Sequence, residues 1–165
     1  MERRKLKAAI GSTVFLILAP GLVAGLVPWR LTRWHMHGPL GLHIVGAVLI
    51  AAGAFVLLHA YVRFVVEGLG TPAPVAPPRR LVVSGLYRYV RNPIYIAVAT
   101  TIVGEALFFG RPILLAYAAV IQAITTAYVR WHEEPQLARR FGAEYEAYRR
   151  AVPAWLPRLR RPRTR

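Results

Sequence analysis

The stretch SGLYRYVRNPIY, residues 84–95, is the part of this chain around which the rest is organised. It follows a basic, proline-rich segment and leads directly into an uncharged run. Its arginines and tyrosines suit the binding of an anion or of a flat ligand with polar edges. Tyrosine and arginine also gather at lipid headgroups, so a membrane-interface belt is the alternative interpretation. A second polar cluster further along the chain bears on this choice.

The composition of the 165-residue chain indicates a membrane protein. Hydrophobic residues make up 56% of it, and the formal charge is +15 at pH 7. The basic residues lie between apolar runs rather than along one face, so membrane topology explains them better than nucleic-acid binding does. The absence of cysteine excludes disulfides, thiolate metal sites and a cysteine nucleophile. There is no aspartate, so seven glutamates are left for any acid, base or cation-binding role.

Four apolar segments predict an all-α integral membrane protein with about four transmembrane helices, in a single membrane domain of residues 1–165. The predicted spans are residues 8–27, 40–62, 94–109 and 112–129. The first is longer than the apolar part of a secretory signal, so we expect a retained anchor. Gly110 and Arg111 alone separate the last two spans, which predicts a tight antiparallel hairpin.

The distribution of Lys and Arg predicts the orientation. Of 22 such residues, four precede the first span, five lie in the loop 63–93 and ten follow residue 129, whereas the other two connections hold three. The positive-inside rule therefore puts both termini and the loop 63–93 in the cytoplasm. We expect the membrane to be the inner, cytoplasmic membrane of a bacterium. The prolines of residues 72–78 predict a stiff segment or a plain linker within the loop.

The chain beyond the fourth span has a different pattern. Apolar residues at intervals of three and four predict an amphipathic cytoplasmic helix over residues 130–152. Such a helix would lie on the membrane or fold back over the central loop. The remaining residues 153–165 form a basic tail that we expect to contact anionic lipid headgroups.

The second polar cluster is RWHEE, residues 130–134, at the end of the fourth predicted span. Because the last two spans form a hairpin, this end must lie beside residues 91–95 (RNPIY) at the start of the third span. Glutamates and arginines at a lipid boundary are costly unless they bind a ligand or pair with each other. An ion-pair network of Glu133 and Glu134 with Arg88 or Arg91 is therefore the alternative to a ligand site.

These two stretches carry a resemblance to a known family. The segment RYVRNPIY, followed some forty residues later by EEPQLARRFGAEYEAYRRAVPAWLP, resembles the isoprenylcysteine carboxyl methyltransferases and the phospholipid methyltransferases of membranes. Their pattern is an Arg-His-Pro-x-Tyr-x-Gly turn, a helical hairpin, then Glu-Glu, Leu, Phe-Gly, two tyrosines and Val-Pro. The resemblance covers roughly residues 70–157 and indicates the bacterial branch with Arg-Asn-Pro in the turn.

Three positions depart from the family pattern. Asn92 stands in place of the histidine of the turn, and Ala97 in place of its glycine. Ala154 replaces an arginine that commonly follows Val-Pro and is implicated in handling an acceptor carboxylate. Arg150, or else Arg149 or Arg158, would have to take over that role.

The resemblance implies S-adenosylmethionine as cofactor, a membrane-embedded or lipophilic methyl acceptor, and no metal. Arg91 would bind the carboxylate of the cofactor, and Glu133 or Glu134 its amino group. An amine acceptor would lose its proton to one of these glutamates or to His132. The implied catalytic residues are Glu134 and Arg150, and the implied cofactor-binding residues are Tyr87, Arg91, Asn92, Pro93, Tyr95, Trp131, Glu133, Glu134, Phe141, Tyr145 and Tyr148.

Three functions compete at this point. The first is a methyltransferase, most simply an O-methyltransferase, acting on an isoprenylated cysteine, a phospholipid amine, a quinone precursor or a small hydrophobic thiol. A nicotinamide-dependent membrane reductase of the sterol-reductase type and a non-catalytic membrane module are the alternatives. Of the other ionisable residues, we expect His43 and His59 to be neutral and bonded to a neighbouring helix. Glu105 is expected at an interface or paired with Arg111.

Overall fold

The computed structural model describes residues 14, 18–33, 35–63 and 80–157, and this part of the chain contains helices and no strand. Residues 18–32 are helical, with a π turn at Leu22–Leu26 that continues into the first labelled helix. The helices are α1 (Val27–Thr32), α2 (Leu40–Arg63), α3 (Pro93–Phe108), α4 (Ile113–Tyr128), α5 (Glu134–Phe141) and α6 (Ala143–Ala151), with a 3₁₀ turn at Gly85–Arg88 and a second π turn at Val129–Glu133. The beginning of the first predicted span, the prolines of residues 72–78 and residues 158–165 lie outside the described part.

The bounds of α2, α3 and α4 agree with the second, third and fourth predicted spans to within one residue. Helix α3 begins at Pro93, where a missing N–H costs nothing because the first turn has no helical acceptor. The first helix differs from the prediction, since it continues past Val27 to Thr32. The π turn precedes Pro28, with the Val27 N–H bonded to the carbonyl of Leu22, so the proline falls in a first turn and does not break the helix.

The predicted single helix over residues 130–152 is instead two helices. Helix α4 continues without a break through the π turn Val129–Glu133 into α5, and the chain turns sharply at Gly142. Gly142 has φ +52° and ψ −125°, a conformation that residues with a side chain rarely adopt. The helix of the last segment, α6, ends at Ala151 before Pro153, as predicted.

Among the described residues, two continuous helices are long and apolar enough to cross a membrane, Leu40–Arg63 and Ile113–Phe141, whereas α3 is apolar but shorter. Large apolar side chains of α2 point outward, including Leu40 and Phe55, which are 71% and 68% exposed. A core helix of a water-soluble protein would bury such residues, because exposed apolar area is unfavourable in water. The outward face of α2 therefore matches a hydrocarbon environment.

Helices α2 and α3 pack antiparallel and closely because small residues face each other. A Cβ atom added to Gly104 would lie 2.8 Å from the carbonyl oxygen of Gly46 and 2.8 Å from the amide nitrogen of Ile50. One added to Gly53 would lie 2.8 Å from the carbonyl oxygen of Ala97. Close backbone approach through small residues is the usual way in which membrane helices gain packing energy without a hydrophobic effect between them.

The hairpin of α3 and α4 carries the main core. Ile102 and Leu114 are fully buried there, beside Val98, Ala106 and Ala118. The first helical segment covers one side of this core, and the Tyr117 hydroxyl donates a hydrogen bond of 2.9 Å to the carbonyl of Val23 in the π turn. The hairpin thus fixes which end of α4 lies beside the start of α3.

Glu105 lies far from that end, and its expected pairing with Arg111 is wrong. The residue is 7% exposed, and no ion pair joins it to Arg111. Its Oε2 and the Nε of Arg111 are both buried without a hydrogen-bond partner in the described part of the chain.

We predict that Gly46→Ala destabilises the protein by about 1–3 kcal/mol, because the new methyl group would overlap the backbone of α3. Gly41→Ala, on the same helix with nothing within 4 Å of the added atom, is the matched control and should be neutral or slightly stabilising. Thermal unfolding in detergent measures both. Equal stabilities for the two variants would contradict the close packing.

Candidate functional site

The site is built on the segment that leads from the 3₁₀ turn into α3. The 3₁₀ turn Gly85–Arg88 requires glycine at its first position, where φ is +56°. Asn92 is the residue directly before α3. Its side-chain amide donates a hydrogen bond of 3.1 Å to the carbonyl oxygen of Ala154 and does not cap α3. The turn is therefore held by the C-terminal segment of the chain.

Arg91 is the centre of the site. Its Nη1 donates to Oε1 of Glu134 at 2.6 Å and to the Tyr145 hydroxyl at 3.0 Å. The side chains of Arg91 and Glu134 are 12% and 19% exposed, so this ion pair is largely removed from water. Residues 43 positions apart meet here, which confirms the predicted adjacency of the two polar clusters.

The neighbouring glutamate has a different partner. The Tyr95 hydroxyl donates to Oε2 of Glu133 at 3.2 Å, and Glu133 forms no ion pair in the described part of the chain. Tyr95 lies in the first turn of α3, and Glu133 ends the π turn before α5. The widened turn places successive glutamates so that Glu134 meets Arg91 and Glu133 meets Tyr95.

Helix α6 closes the site over the segment that precedes α3. Tyr145 is buried against Arg91, and the Tyr148 hydroxyl donates 2.8 Å to the carbonyl of Tyr87. Burial raises the pKa of Tyr145, and the Glu134 carboxylate raises it further, although Arg91 opposes this. Burial also raises the pKa of Tyr148. Both phenols therefore stay protonated and serve as neutral hydrogen-bonding groups.

A strap of residues 152–155 lies across the start of α3. The backbone N–H of Arg91 donates 2.9 Å to the carbonyl of Pro153, next to the bond from Asn92 to Ala154. The ring of Trp155 lies 6.4 Å from that of Tyr95 between centroids. Sequence reasoning missed Trp155; its position directly after the Val-Pro-Ala segment, within the matched pattern, was the available signal.

Several predicted site residues lie apart from this cluster. Trp131 is 75% exposed, and Arg150 is exposed with no ion pair in the described part of the chain. Phe141 is half-buried at the end of α5 beneath the Arg140 guanidinium. The Tyr87 ring packs in an apolar cluster with Ala60 and Val82. Of Arg88 and Arg91, Arg91 forms the ion pair with Glu134, and Arg88 is exposed. The other oxygen of Glu134 lies 4.0 Å from the half-exposed Arg149.

One polar atom of the site has no partner. The Nε of Arg91 is buried, and no acceptor bonds to it in the described part of the chain. A buried guanidinium N–H without an acceptor is costly, so such a donor fits an anionic or carbonyl oxygen of a ligand. The same cluster thus offers an unused cationic donor at Arg91 and a carboxylate at Glu133.

Comparisons with known proteins bear on what this site does. A family model described as phospholipid methyltransferase matches residues 42–144. The chain is 27% identical over 163 residues to a methanethiol S-methyltransferase of Crocosphaera subtropica, covering 86% of this chain and 59% of the relative. It is 35% identical over 83 residues to a protein-S-isoprenylcysteine O-methyltransferase of Schizosaccharomyces pombe, covering 47% of this chain and 33% of the relative. The chain thus spans less than two thirds of the length of either relative, and no solved structure matches it.

We predict that Glu134→Gln lowers the stability of the protein by about 1–3 kcal/mol, because the buried Arg91 would lose its counter-charge. Glu146→Gln is the matched control, since its ion pair with Arg149 is half-exposed at 3.6 Å and should contribute little. Thermal unfolding in detergent without ligand measures both. A control that falls as far as Glu134→Gln would contradict a structural role for the Arg91–Glu134 pair.

Proposed function

Because the chain belongs to the phospholipid methyltransferase family, we propose that it transfers a methyl group from S-adenosylmethionine to a lipophilic acceptor at the membrane. The names of its relatives include both an S-methyltransferase and an O-methyltransferase. The proposal therefore specifies a nucleophile presented by a lipophilic molecule, and O-methylation is one form of it. A non-catalytic role and a nicotinamide-dependent reduction are not favoured by any contact of the described residues.

The observation that carries the proposal is the buried Nε of Arg91 without an acceptor, in the same cluster as Glu133. S-adenosylmethionine has a carboxylate and an ammonium group on one amino-acid end, beside a sulfonium cation. Arg91 Nε suits the carboxylate by charge-assisted hydrogen bonding. One carboxylate oxygen of Glu133 suits the ammonium group in the same way, which leaves its second oxygen for the acceptor. The aromatic rings of Tyr95 and Trp155 suit a cation or a flat base. When bound, the cofactor would supply an electrophilic methyl group.

The residues of the chain would act mainly by orientation. Arg91 is fixed by Glu134, by Tyr145 and by its own backbone bond to Pro153, so its free donor points in a defined direction before any ligand binds. Such pre-organisation reduces the entropy lost on aligning two reactants. Tyr145, Tyr148 and the strap 152–155 would exclude water from this side.

Glu133 is the group that we assign to proton removal where the acceptor carries a proton. Its carboxylate has one hydrogen bond, from Tyr95, and no counter-ion in the described part of the chain. Glu134, the residue that sequence reasoning favoured for catalysis, is occupied by Arg91. We therefore propose Glu133 as the base and Glu134 as the residue that positions Arg91.

The proposed setting is a four-span protein of the cytoplasmic membrane with both termini and the site in the cytoplasm. The outward apolar face of α2 and the excess of Lys and Arg at this end support it. The cofactor would enter from the cytoplasm, and the acceptor would enter sideways from the bilayer between helices.

We predict that Glu133→Gln weakens the binding of S-adenosylhomocysteine or S-adenosylmethionine by at least about tenfold, because it removes a charge-assisted hydrogen bond. Its fold should be intact, since glutamine also accepts the Tyr95 hydrogen bond. Calorimetric titration in detergent gives the affinity, and Glu146→Gln should bind as the unaltered protein does. Wild-type affinity in Glu133→Gln, or stabilisation by NADPH and not by S-adenosylhomocysteine, would overturn the proposal.

A further inference from the structure

The last turn of α2 brings an imidazole and a guanidinium to one point outside the site just described. The ideal Cβ position of Gly85 lies 2.9 Å from Nε2 of His59 and 3.2 Å from Nε of Arg63. Both nitrogens therefore converge over the same bare glycine backbone, at the start of the 3₁₀ turn. Within residues 35–63 and 80–157, His59 forms no hydrogen bond to a neighbouring helix, contrary to expectation, and its ring lies over this turn.

This pair lies at the edge of the lipid-facing surface of α2. His59 stacks on Phe55, with ring centroids 6.2 Å apart, and Phe55 points outward. Leu58 and Val62, on the same last two turns, are also exposed apolar residues. Because α2 carries no Lys, Arg or Glu before Arg63, these two nitrogens lie at the depth where hydrocarbon gives way to headgroups.

A cation at a helix C-terminus is favourable by itself, which accounts for an arginine at the last position of α2. That effect does not require a second nitrogen-bearing side chain to approach the same point, since His59 lies one turn earlier. An imidazole and a guanidinium that lie side by side at interfacial depth can together bind the oxygens of one phosphate group. The five donors of a guanidinium allow Arg63 to hold such an oxygen together with other partners.

We propose that His59 and Arg63, above Gly85, bind the phosphate of an anionic lipid headgroup in the leaflet on the side of the candidate site. The ligand chemistry is a phosphate group, and its source is a bilayer lipid because the exposed apolar residues beside the pair accommodate acyl chains. This binding is independent of methyl transfer, and the bound lipid need not be the acceptor.

Such a lipid would act on the turn that supports the site. The 3₁₀ turn carries Gly85 below His59 and Arg63, while the carbonyl of Tyr87, two residues on, accepts the hydrogen bond from Tyr148 of α6. Tyr87 also packs on Ala60, which neighbours His59 on α2. A headgroup held by His59 and Arg63 would therefore stabilise the turn against which α6 closes.

The test is thermal unfolding of the full chain in neutral detergent, with phosphatidylglycerol, phosphatidylcholine or inorganic phosphate added. We expect phosphatidylglycerol to raise the Tm saturably, and inorganic phosphate at the same concentration to leave it unchanged. The variant His59→Gln with Arg63→Gln should weaken the phosphatidylglycerol effect at least about tenfold in concentration. The variant Arg139→Gln with Arg140→Gln removes two exposed arginines elsewhere and should keep the effect.

Loss of the effect to the same degree in both double variants would overturn the proposal, because general surface charge would then explain it. So would an unchanged effect in the His59 and Arg63 variant, or an equal effect of inorganic phosphate. If that double variant does not fold, His59→Gln alone is examined by native mass spectrometry, counting phosphatidylglycerol molecules retained per chain. Retention equal to that of the unaltered protein would also overturn the proposal.

Discussion

The arrangement of the candidate site depends on one ion pair, between Arg91 just before α3 and Glu134 at the start of α5. Both side chains are largely shielded from water, so removing either charge would leave the other buried without its partner, which is destabilising. The same guanidinium nitrogen also holds Tyr145, and the backbone of Arg91 holds Pro153. Two helices and the C-terminal strap therefore converge on a single residue of the turn.

This ion pair also distinguishes the two adjacent glutamates by their partners. The ion pair occupies Glu134, whereas Glu133 has a neutral phenol as its partner. A carboxylate without a counter-ion beside a guanidinium with an unused donor is suited to a ligand that carries both charges. The two neighbouring glutamates thus have different partners, and this difference results from the π turn that precedes α5.

Much of this arrangement follows from the sequence. The apolar runs and the short Gly110–Arg111 connection predict the hairpin, and the hairpin brings residues 91–95 beside residues 130–134. The sequence does not show which of Glu133 and Glu134 pairs with Arg91. That choice depends on the π turn before α5, whose backbone hydrogen bonds join residues five positions apart and leave the spacing of apolar residues unchanged.

Two other features depend on how the helices are placed relative to one another, which the sequence does not show. The approach of Gly46 to Gly104 depends on how α2 slides along α3, which composition does not specify. The exposure of Trp131 depends on the direction in which the π turn points this side chain, so an aromatic residue beside two glutamates was a misleading signal. The break at Gly142 was visible as a glycine, but the three- and four-residue spacing continues across it.

The uninterrupted helix Ile113–Phe141 has a consequence for where chemistry can take place. Its 29 residues make a rod about 43 Å long, whereas the hydrocarbon layer of a bilayer is about 30 Å thick. If the helix stands upright, about two and a half turns project beyond the hydrocarbon layer, and those turns carry both glutamates. Under the proposed function, a charged, water-soluble cofactor would therefore bind outside the hydrocarbon layer. A lipophilic acceptor would need to bring only its polar end to that level.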